Sequence, residues 1–511
     1  MNLARCYATL LALAVTVAPH AARAVDRSLG AGIPKPPASG APWNDGDRAS
    51  LTVDIDALLR DAPALRGAHS GLLLVDVQTG AVLYARNADD AFIPASTLKL
   101  LTGSAALETL GTAFRFRTEA YVTDPVESGF LRGTLHVRGS GDTLIDDSAL
   151  HDLAVTLRAA GIRRISGGVH GDRVPGEQRY LPGWSWDDFP YDYAAAVESL
   201  GYEHNRVIAH IVPGRQAGET PAISVQPWGT VCDPQKPCRP ALGFAVWNAT
   251  STGPKGSELT LDAAPADTAG AVTLSGSIAA GAAPEDIAVA VPSPTQFLLA
   301  ATRRALDAAG IDPRVDPYLH TADPLPERVL WAHDSEPLGD IMADMWWPSD
   351  NLLAEEVLRA VGTRAGRRTA PSTDGIAREN AWLTAIGIDP ATVTLSDGSG
   401  LSVYNRLAPR TLTTILLRDW NGPYRDLVLD DLPIAGVRGT LESSYKGTAS
   451  EGRVFAKTGS MSHVNNIAGY IATQCHGTVA FAFLVDDWLG SAADLRDLRA
   501  RVFTRLIAAP C

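Results

Sequence analysis

The sequence predicts an α+β fold in which one antiparallel sheet is assembled from both ends of the chain and interrupted by a long β-rich insertion. Three observations carry this prediction. Near the start, GLLLVDVQTGAVLYARNAD from Gly71 to Asp89 reads as two apolar strands around a Gln-Thr-Gly turn, a β-hairpin. Near the end, RVFAKTGSM, NNIAGYIATQC and TVAFAFLVDDW read as three more strands, giving a five-stranded antiparallel sheet flanked by helices. Between them, from about 119 to 325, the texture shifts to Gly, Pro, Ala, Thr and Val, with short strand-like pieces such as GTLHVRGSG and AVTLSGSIAAG.

Taken in order, the chain begins with an address. Arg5 precedes an apolar run from about Tyr7 to Ala18, and the triplet Ala22-Arg23-Ala24 follows, the pattern of a signal peptide over 1–24 cleaved after Ala24. Pro19 and His20 stop the run before the 20 or so apolar residues a membrane anchor needs. No later segment is long and apolar enough to span a bilayer. Residues 25–50, rich in Pro, Gly and Ala, read as a flexible leader. The first part of the main domain spans 51–118, the inserted region 119–325, and the second part 326–511. In that second part helical periodicity returns at EPLGDIMADMWWPSDNLLAEEVLRAVG, and SAADLRDLRARVFTRLIAA reads as a last helix.

With 46% hydrophobic and 20% charged residues in 511, the composition is that of an ordinary globular protein of several domains. A net charge of -13 argues against a general nucleic-acid binder. Signal removal takes Cys6 away and leaves Cys232, Cys238, Cys475 and Cys511, an even count that in an exported chain suggests disulfides. The short loop from Cys232 to Cys238 and the pairing of Cys475 with the terminal Cys511 are favoured. A zinc site is disfavoured because no histidines stand at ligand spacing.

Chemistry enters at FIPASTLKLL, residues 92–101. On a helix, positions i and i+3 share a face, so Lys99 stands one turn from Ser96. Burial disfavours an ammonium, and a neutral Lys99 can accept the Ser96 proton. The chain has 38 arginines and six lysines, so Ser-x-x-Lys is rare by chance; its second copy is SSYK, Ser443 to Lys446. Two more motifs follow the first copy in order: Ser349-Asp350-Asn351, at the start of a helical run, and Lys457-Thr458-Gly459-Ser460, in a strand. Ser-x-x-Lys, Ser-x-Asn and Lys-Thr-Gly in this order are the set of class A β-lactamases and penicillin-binding proteins. The Ser443 copy falls outside that order.

Each residue has a task in acyl transfer. Ser96 is the nucleophile and Lys99 its activator; Ser349, helped by Lys457, relays the proton to the leaving amine; Asn351 binds the substrate amide. Lys457 and Thr458 hold a terminal carboxylate, Gly459 admits close backbone approach, and the N–H groups of Ser96 and Ser460 face the oxyanion. No metal or cofactor is expected.

With these motifs the chain resembles the class C low-molecular-mass penicillin-binding proteins, the D-Ala-D-Ala carboxypeptidase/endopeptidases of peptidase family S13. The resemblance extends to SDNLLAE at 349–355, DGSGLSVYNRLAP at 397–409 and the interval of about 250 residues from Ser96 to Ser349, which is far shorter in class A β-lactamases. One departure is GSGDTLI at 139–145, where the family tends to have proline after the aspartate.

The resemblance implies a serine β-lactamase/transpeptidase-like domain interrupted by two nested, mostly β domains, the inner one at roughly 205–285. It implies a periplasmic enzyme acting on peptidoglycan stem peptides and cross-links and acylated by β-lactams, and it leaves open whether the enzyme is a homodimer. By the Gly-Trp-x-Trp-x-Asp pattern in GWSWDDFPYDY, it also implies that Asp188 pairs with the diaminopimelate ammonium. A β-lactamase or esterase of the same fold would need a deacylating glutamate that the sequence does not reveal, and a non-catalytic wall-binding protein has no need of both lysines. No G-x-S-x-G elbow is present.

Overall fold

A computed structural model describes residues 25–30, 32–174, 176–238, 244–266, 270–313, 318–321, 328–363 and 368–511. The signal peptide expected over 1–24 lies outside them.

The two ends of the chain form one five-stranded antiparallel sheet. Its strands are β1 (His69–Asp76), β2 (Val82–Arg86), β3 (Val454–Met461), β4 (Val464–Ala472) and β5 (Thr478–Asp486), in the order β3-β4-β5-β1-β2. The period of two of an extended strand sorts their side chains onto two buried faces. Leu72, Leu74, Phe481, Phe483 and Ile467 face one core, and Ala480, Ala482, Leu484 and Tyr470 face another.

The first of these cores is closed by α1 (Asp45–Arg60) and by a C-terminal helix, Ala492–Ile507. Asp45 to Ser50, at the end of the stretch read as a leader, are therefore the first turns of a helix. Asn44 accepts from the Asp47 N–H, Asp47 returns the bond to the Asn44 backbone, and Leu51, Ile55 and Leu59 are buried along one stripe. Upstream of the helix, the Val25 N–H donates to Asp344, and Arg27 pairs with Asp431.

The second core packs under α2 (Lys99–Leu110), α3 (Leu338–Trp346), α4 (Asn351–Val361), α5 (Ser372–Ala385) and α6 (Pro409–Asn421). Among the described residues no helix is long and apolar enough to cross a membrane.

The insertion leaves and re-enters side by side. Arg117–Val122 pairs antiparallel with Arg328–Asp334 at the edge of a second five-stranded sheet, so the sheet of the inserted region extends a few residues past 119 and 325 on either side. Within it, strands from Arg206 to Ala290 build a three-stranded and a four-stranded sheet around a core separate from the helical one. A buried guanidinium fastens the insertion to α4. Arg359 holds Glu356 at 3.0 Å and Glu177 at 2.7 Å, which anchors the chain just before the 183–193 stretch. Disulfides join Cys232 to Cys238 and Cys475 to Cys511, the two pairs the sequence favoured.

Candidate active site

Ser96 sits in a 3-10 turn, Ala95–Leu98, that runs straight into α2 at Lys99. The turn is held from three sides. Asp486 accepts the Ile93 N–H at 2.8 Å, Asn466 donates to the carbonyls of Ile93 and Pro94, and Phe92 exchanges backbone bonds with Leu407. Ala95 is thereby kept at φ 45°, and Ser349, from the second motif, stands at φ 66°. Non-glycine residues reach that region only where their surroundings over-determine them, as functional sites often do.

Two glycines are required by close approach. A Cβ on Gly400, at φ 85°, would meet the Ala95 carbonyl oxygen at 1.9 Å; one on Gly459 would lie 2.8 Å from the Pro94 carbonyl oxygen and 2.9 Å from the Ser96 nitrogen. The third motif thus packs directly against the backbone of the Ser96 turn.

The three motifs converge. Lys99 Nζ is 2.9 Å from Ser96 Oγ, 2.5 Å from Asn351 Oδ1 and 2.8 Å from the Ser399 carbonyl oxygen. Asn351 is oriented by its other end, which donates to the Tyr193 carbonyl at 2.7 Å and so turns its oxygen to the lysine. Lys457 Nζ is 2.8 Å from Ser349 Oγ and 2.9 Å from the Thr458 carbonyl, while Thr458 Oγ1 donates to Thr440. Both lysines are fully buried.

Burial pushes the Lys99 ammonium down to about 8, against the pull of Asp397, Glu355 and Asp350. Burial and then the charge of Lys99 push Lys457 well below the usual lysine range. Asp350 caps α4 and meets His204 Nδ1 at 2.8 Å. Burial raises its carboxyl, but the hydrogen bond and charge of His204 outweigh that and hold it at about 2.

β3 is an edge strand of the sheet. Its outer side bonds to the 433–435 segment through the Val454 carbonyl and the Ala456 N–H. With a period of two, the next outward groups are those of Thr458 and Ser460. Ser460 is exposed, and by that register its N–H points outward from the strand, next to Gly459, which packs on the Ser96 turn.

Asp188 lies apart from the lysines but is connected to them. Half-buried, it accepts the Tyr193 hydroxyl at 2.8 Å, and the carbonyl of that same Tyr193 holds Asn351. Burial and the nearby Asp187 push its carboxyl up, while the Tyr193 hydroxyl pulls it down. The second Ser-x-x-Lys is not part of this arrangement; Ser443 and Lys446 are both exposed.

Sequence reasoning missed the carbonyls of Ser399 and Tyr193, and His204. Ser399 lies within the quoted 397–409 stretch and Tyr193 at the end of the quoted 183–193 stretch, and that was the signal available, though neither backbone oxygen is marked by its residue type. His204 carries none.

A helix-flanked antiparallel sheet with a Ser-x-x-Lys turn at one edge and a Lys-Thr-Gly strand beside it defines a penicillin-recognising serine enzyme of the transpeptidase class. The family model of the D-Ala-D-Ala carboxypeptidase 3 (S13) family matches residues 51–506, and the chain belongs to that family. It is 32% identical over 453 residues to the D-alanyl-D-alanine carboxypeptidase of an Actinomadura species, covering 86% of this chain and 82% of that protein. With D-alanyl-D-alanine carboxypeptidase DacB of Haemophilus influenzae it shares 27% identity over 454 residues, 88% of this chain and 91% of the relative. The crystal structure of penicillin binding protein 4 from Haemophilus influenzae superposes with a TM-score of 0.76 at 26% identity, covering 89% of this chain and 99% of that one. The chain is accordingly a serine D-Ala-D-Ala carboxypeptidase.

Proposed function

We propose that this carboxypeptidase works in the periplasm after removal of residues 1–24. There it trims terminal D-Ala from peptidoglycan stem peptides and cuts D-Ala cross-links through an ester on Ser96. Its transpeptidase-like domain, 51–118 with 326–511, supplies the chemistry, and the inserted region 119–325 supplies the rim.

The arrangement around Lys99 carries this reading. Two of its three partners, Asn351 Oδ1 and the Ser399 carbonyl, are acceptors only, so a neutral amine spends both N–H groups on them. Its lone pair is then left for the one partner that owns a proton, the Ser96 hydroxyl. Ser96 Oγ attacks the carbonyl carbon of the penultimate D-Ala while Lys99 takes the proton. The oxyanion forms between the N–H groups of Ser96 and Ser460. When the C–N bond breaks, Ser349 passes a proton to the departing amine and is resupplied by Lys457 at 2.8 Å. Water then hydrolyses the ester and restores Ser96.

Lys457 has a second task. With two lysines in one buried cavity, the second proton is held weakly until an anion arrives. A substrate carboxylate at Lys457 and Thr458 supplies that anion, so the clamp charges as the substrate binds. A β-lactam enters by the same attack, but its amine stays tethered and blocks the incoming water. Asp188, set one residue from the Asn351 anchor, pairs with the side-chain ammonium of diaminopimelate.

The test is mass spectrometry of purified linear and cross-linked muropeptides after incubation with wild type and Ser96→Ala. Wild type should release D-Ala and split dimers, and the variant should do neither. Intact substrates with folded wild type would refute the proposal.

A further inference from the structure

Behind Lys99, on the side away from Ser96, lie buried acids that the acyl-transfer steps do not use. Glu355 on α4, Glu379 on α5 and Asp397 are all fully buried. Asp397 is saturated with donors: the N–H groups of Gly400 and Ser402, the Trp184 indole and the Asn405 amide. Glu355 is different. Its carboxyl group accepts the Gly398 N–H at 3.0 Å and the Ser399 N–H at 2.8 Å, and Ser399 is the residue whose carbonyl accepts a hydrogen bond from Lys99 at 2.8 Å. The Thr102 hydroxyl, one turn along α2 from Lys99, holds the neighbouring Gly398 carbonyl at 2.7 Å.

One residue, Ser399, therefore separates Glu355 from the base: its N–H meets the acid and its carbonyl meets the amine. If Ser399 turned its carbonyl elsewhere, the neutral amine would have a spare N–H and no reason to aim its lone pair at Ser96. The loop from Ser396 to Leu401 has no regular secondary structure; Asp397 within it holds the Gly400 and Ser402 N–H groups, and Glu355 holds those of Gly398 and Ser399 from outside.

We propose that Glu355 is a positioning residue for acylation: through the Ser399 backbone it orients the amine of Lys99 and sets the pH at which that amine becomes a base. The inference rests on Lys99 acting as the base, as in the function proposed above. The charged and titratable groups facing the pair are Asp350, Asp397, Lys457 and Glu379. Burial raises the Glu355 carboxyl to about 8, with Asp397 adding to the rise; burial lowers Lys99 to about 8, with the charges of Asp397 and Glu355 pulling it back up. A Glu355 anion favours the Lys99 ammonium. Removing that charge while keeping the acceptor should make Lys99 a base at lower pH.

The experiment is the second-order rate of acylation by a fluorescent penicillin between pH 5.5 and 9.5, for wild type, Glu355→Gln and Glu355→Ala. The glutamine keeps one oxygen for the two N–H groups; the alanine keeps none. Expected are a plateau within about tenfold of wild type for Glu355→Gln, with its acidic limb moved by half a pH unit or more to lower pH. Glu355→Ala should lose at least about a hundredfold at every pH. An unmoved limb in the folded glutamine variant, or an alanine variant acylated at the wild-type rate, overturns the proposal. Should Glu355→Ala fail to fold, the limb of Glu355→Gln decides alone. If wild type shows no acidic limb near 8, the assignment of Lys99 as base fails first, which keeps the two claims distinguishable.

Discussion

Gly459→Ala adds one methyl group at the point where the Lys-Thr-Gly strand meets the Ser96 turn. The new carbon would stand 2.8 Å from the Pro94 carbonyl oxygen and 2.9 Å from the nitrogens of Ser96 and Thr97, where ordinary contact begins at 3.4 Å. All three neighbours are backbone atoms, so no side chain can rotate out of the way. The strand and the turn must separate by about half an ångström, at a cost of about 1–3 kcal/mol for overpacking. The separation opens the gap between the Ser96 and Ser460 N–H groups. Misplacement of reacting groups by about 1 Å costs about a hundredfold, so the acylation rate with fluorescent penicillin should fall about 10- to 100-fold. Circular dichroism should show an intact fold, because the strand is an edge strand and retains its ladder with β4. A folded variant acylated within twofold of wild type would refute the reasoning, since it would mean the close approach serves packing rather than the oxyanion.

Three further outcomes follow from the same geometry. Lys99, lowered to about 8 by burial, accepts the Ser96 proton only when neutral, so wild-type acylation should rise about tenfold per pH unit from pH 6 and level off above about 8; stopped-flow rates across that range check it. Asp350 is depressed from 3.8 to about 2, so its contribution of about 2–3 kcal/mol is present above the unfolded-state value near 4 and is lost as pH falls through 2. His204→Ala removes the partner, and denaturant midpoints should show the variant weakened at pH 7 and converging on wild type toward pH 2. Asp188→Ala should slow hydrolysis of a diaminopimelate pentapeptide by about 10- to 150-fold, from a charged hydrogen bond of about 1.5–3 kcal/mol. A diacetyl-lysyl-D-Ala-D-Ala analogue and penicillin should react nearly unchanged; equal loss on both peptides would mean that Asp188 supports the loop instead.

Much of this site was legible because its motifs are local. Ser96 and Lys99 share one turn, Ser349 to Asn351 begin one helix, and Lys457 to Ser460 lie on one strand, so each could be read from a few letters. The sheet was legible because its strands are buried on both faces and so read as short, nearly continuous apolar runs. What the letters do not carry is direction at a distance. Lys99 meets Asn351 and the Ser399 carbonyl across 252 and 300 residues, and a backbone oxygen has no residue type to betray it. His204, at φ 54° in a loop of the insertion, reaches Asp350 from 146 residues away. The helix at Asp45 was a different kind of miss. Asn44 with Asp47, followed by Leu51, Ile55 and Leu59, is a capping box with a helical stripe, but the prolines before it gave the whole stretch the texture of a leader.

Peptide mapping of the penicillin adduct tests most directly whether Ser96 carries the acyl group. Wild-type protein incubated with a stoichiometric excess of penicillin should gain one adduct, and tandem mass spectrometry of the digest should place it on Ser96 within the peptide that holds Lys99. Ser96→Ala should gain none, and Ser443→Ala should gain one on Ser96 as wild type does. An adduct on Ser349, Ser443 or any other residue, or a Ser96→Ala protein that is still acylated, would contradict the account.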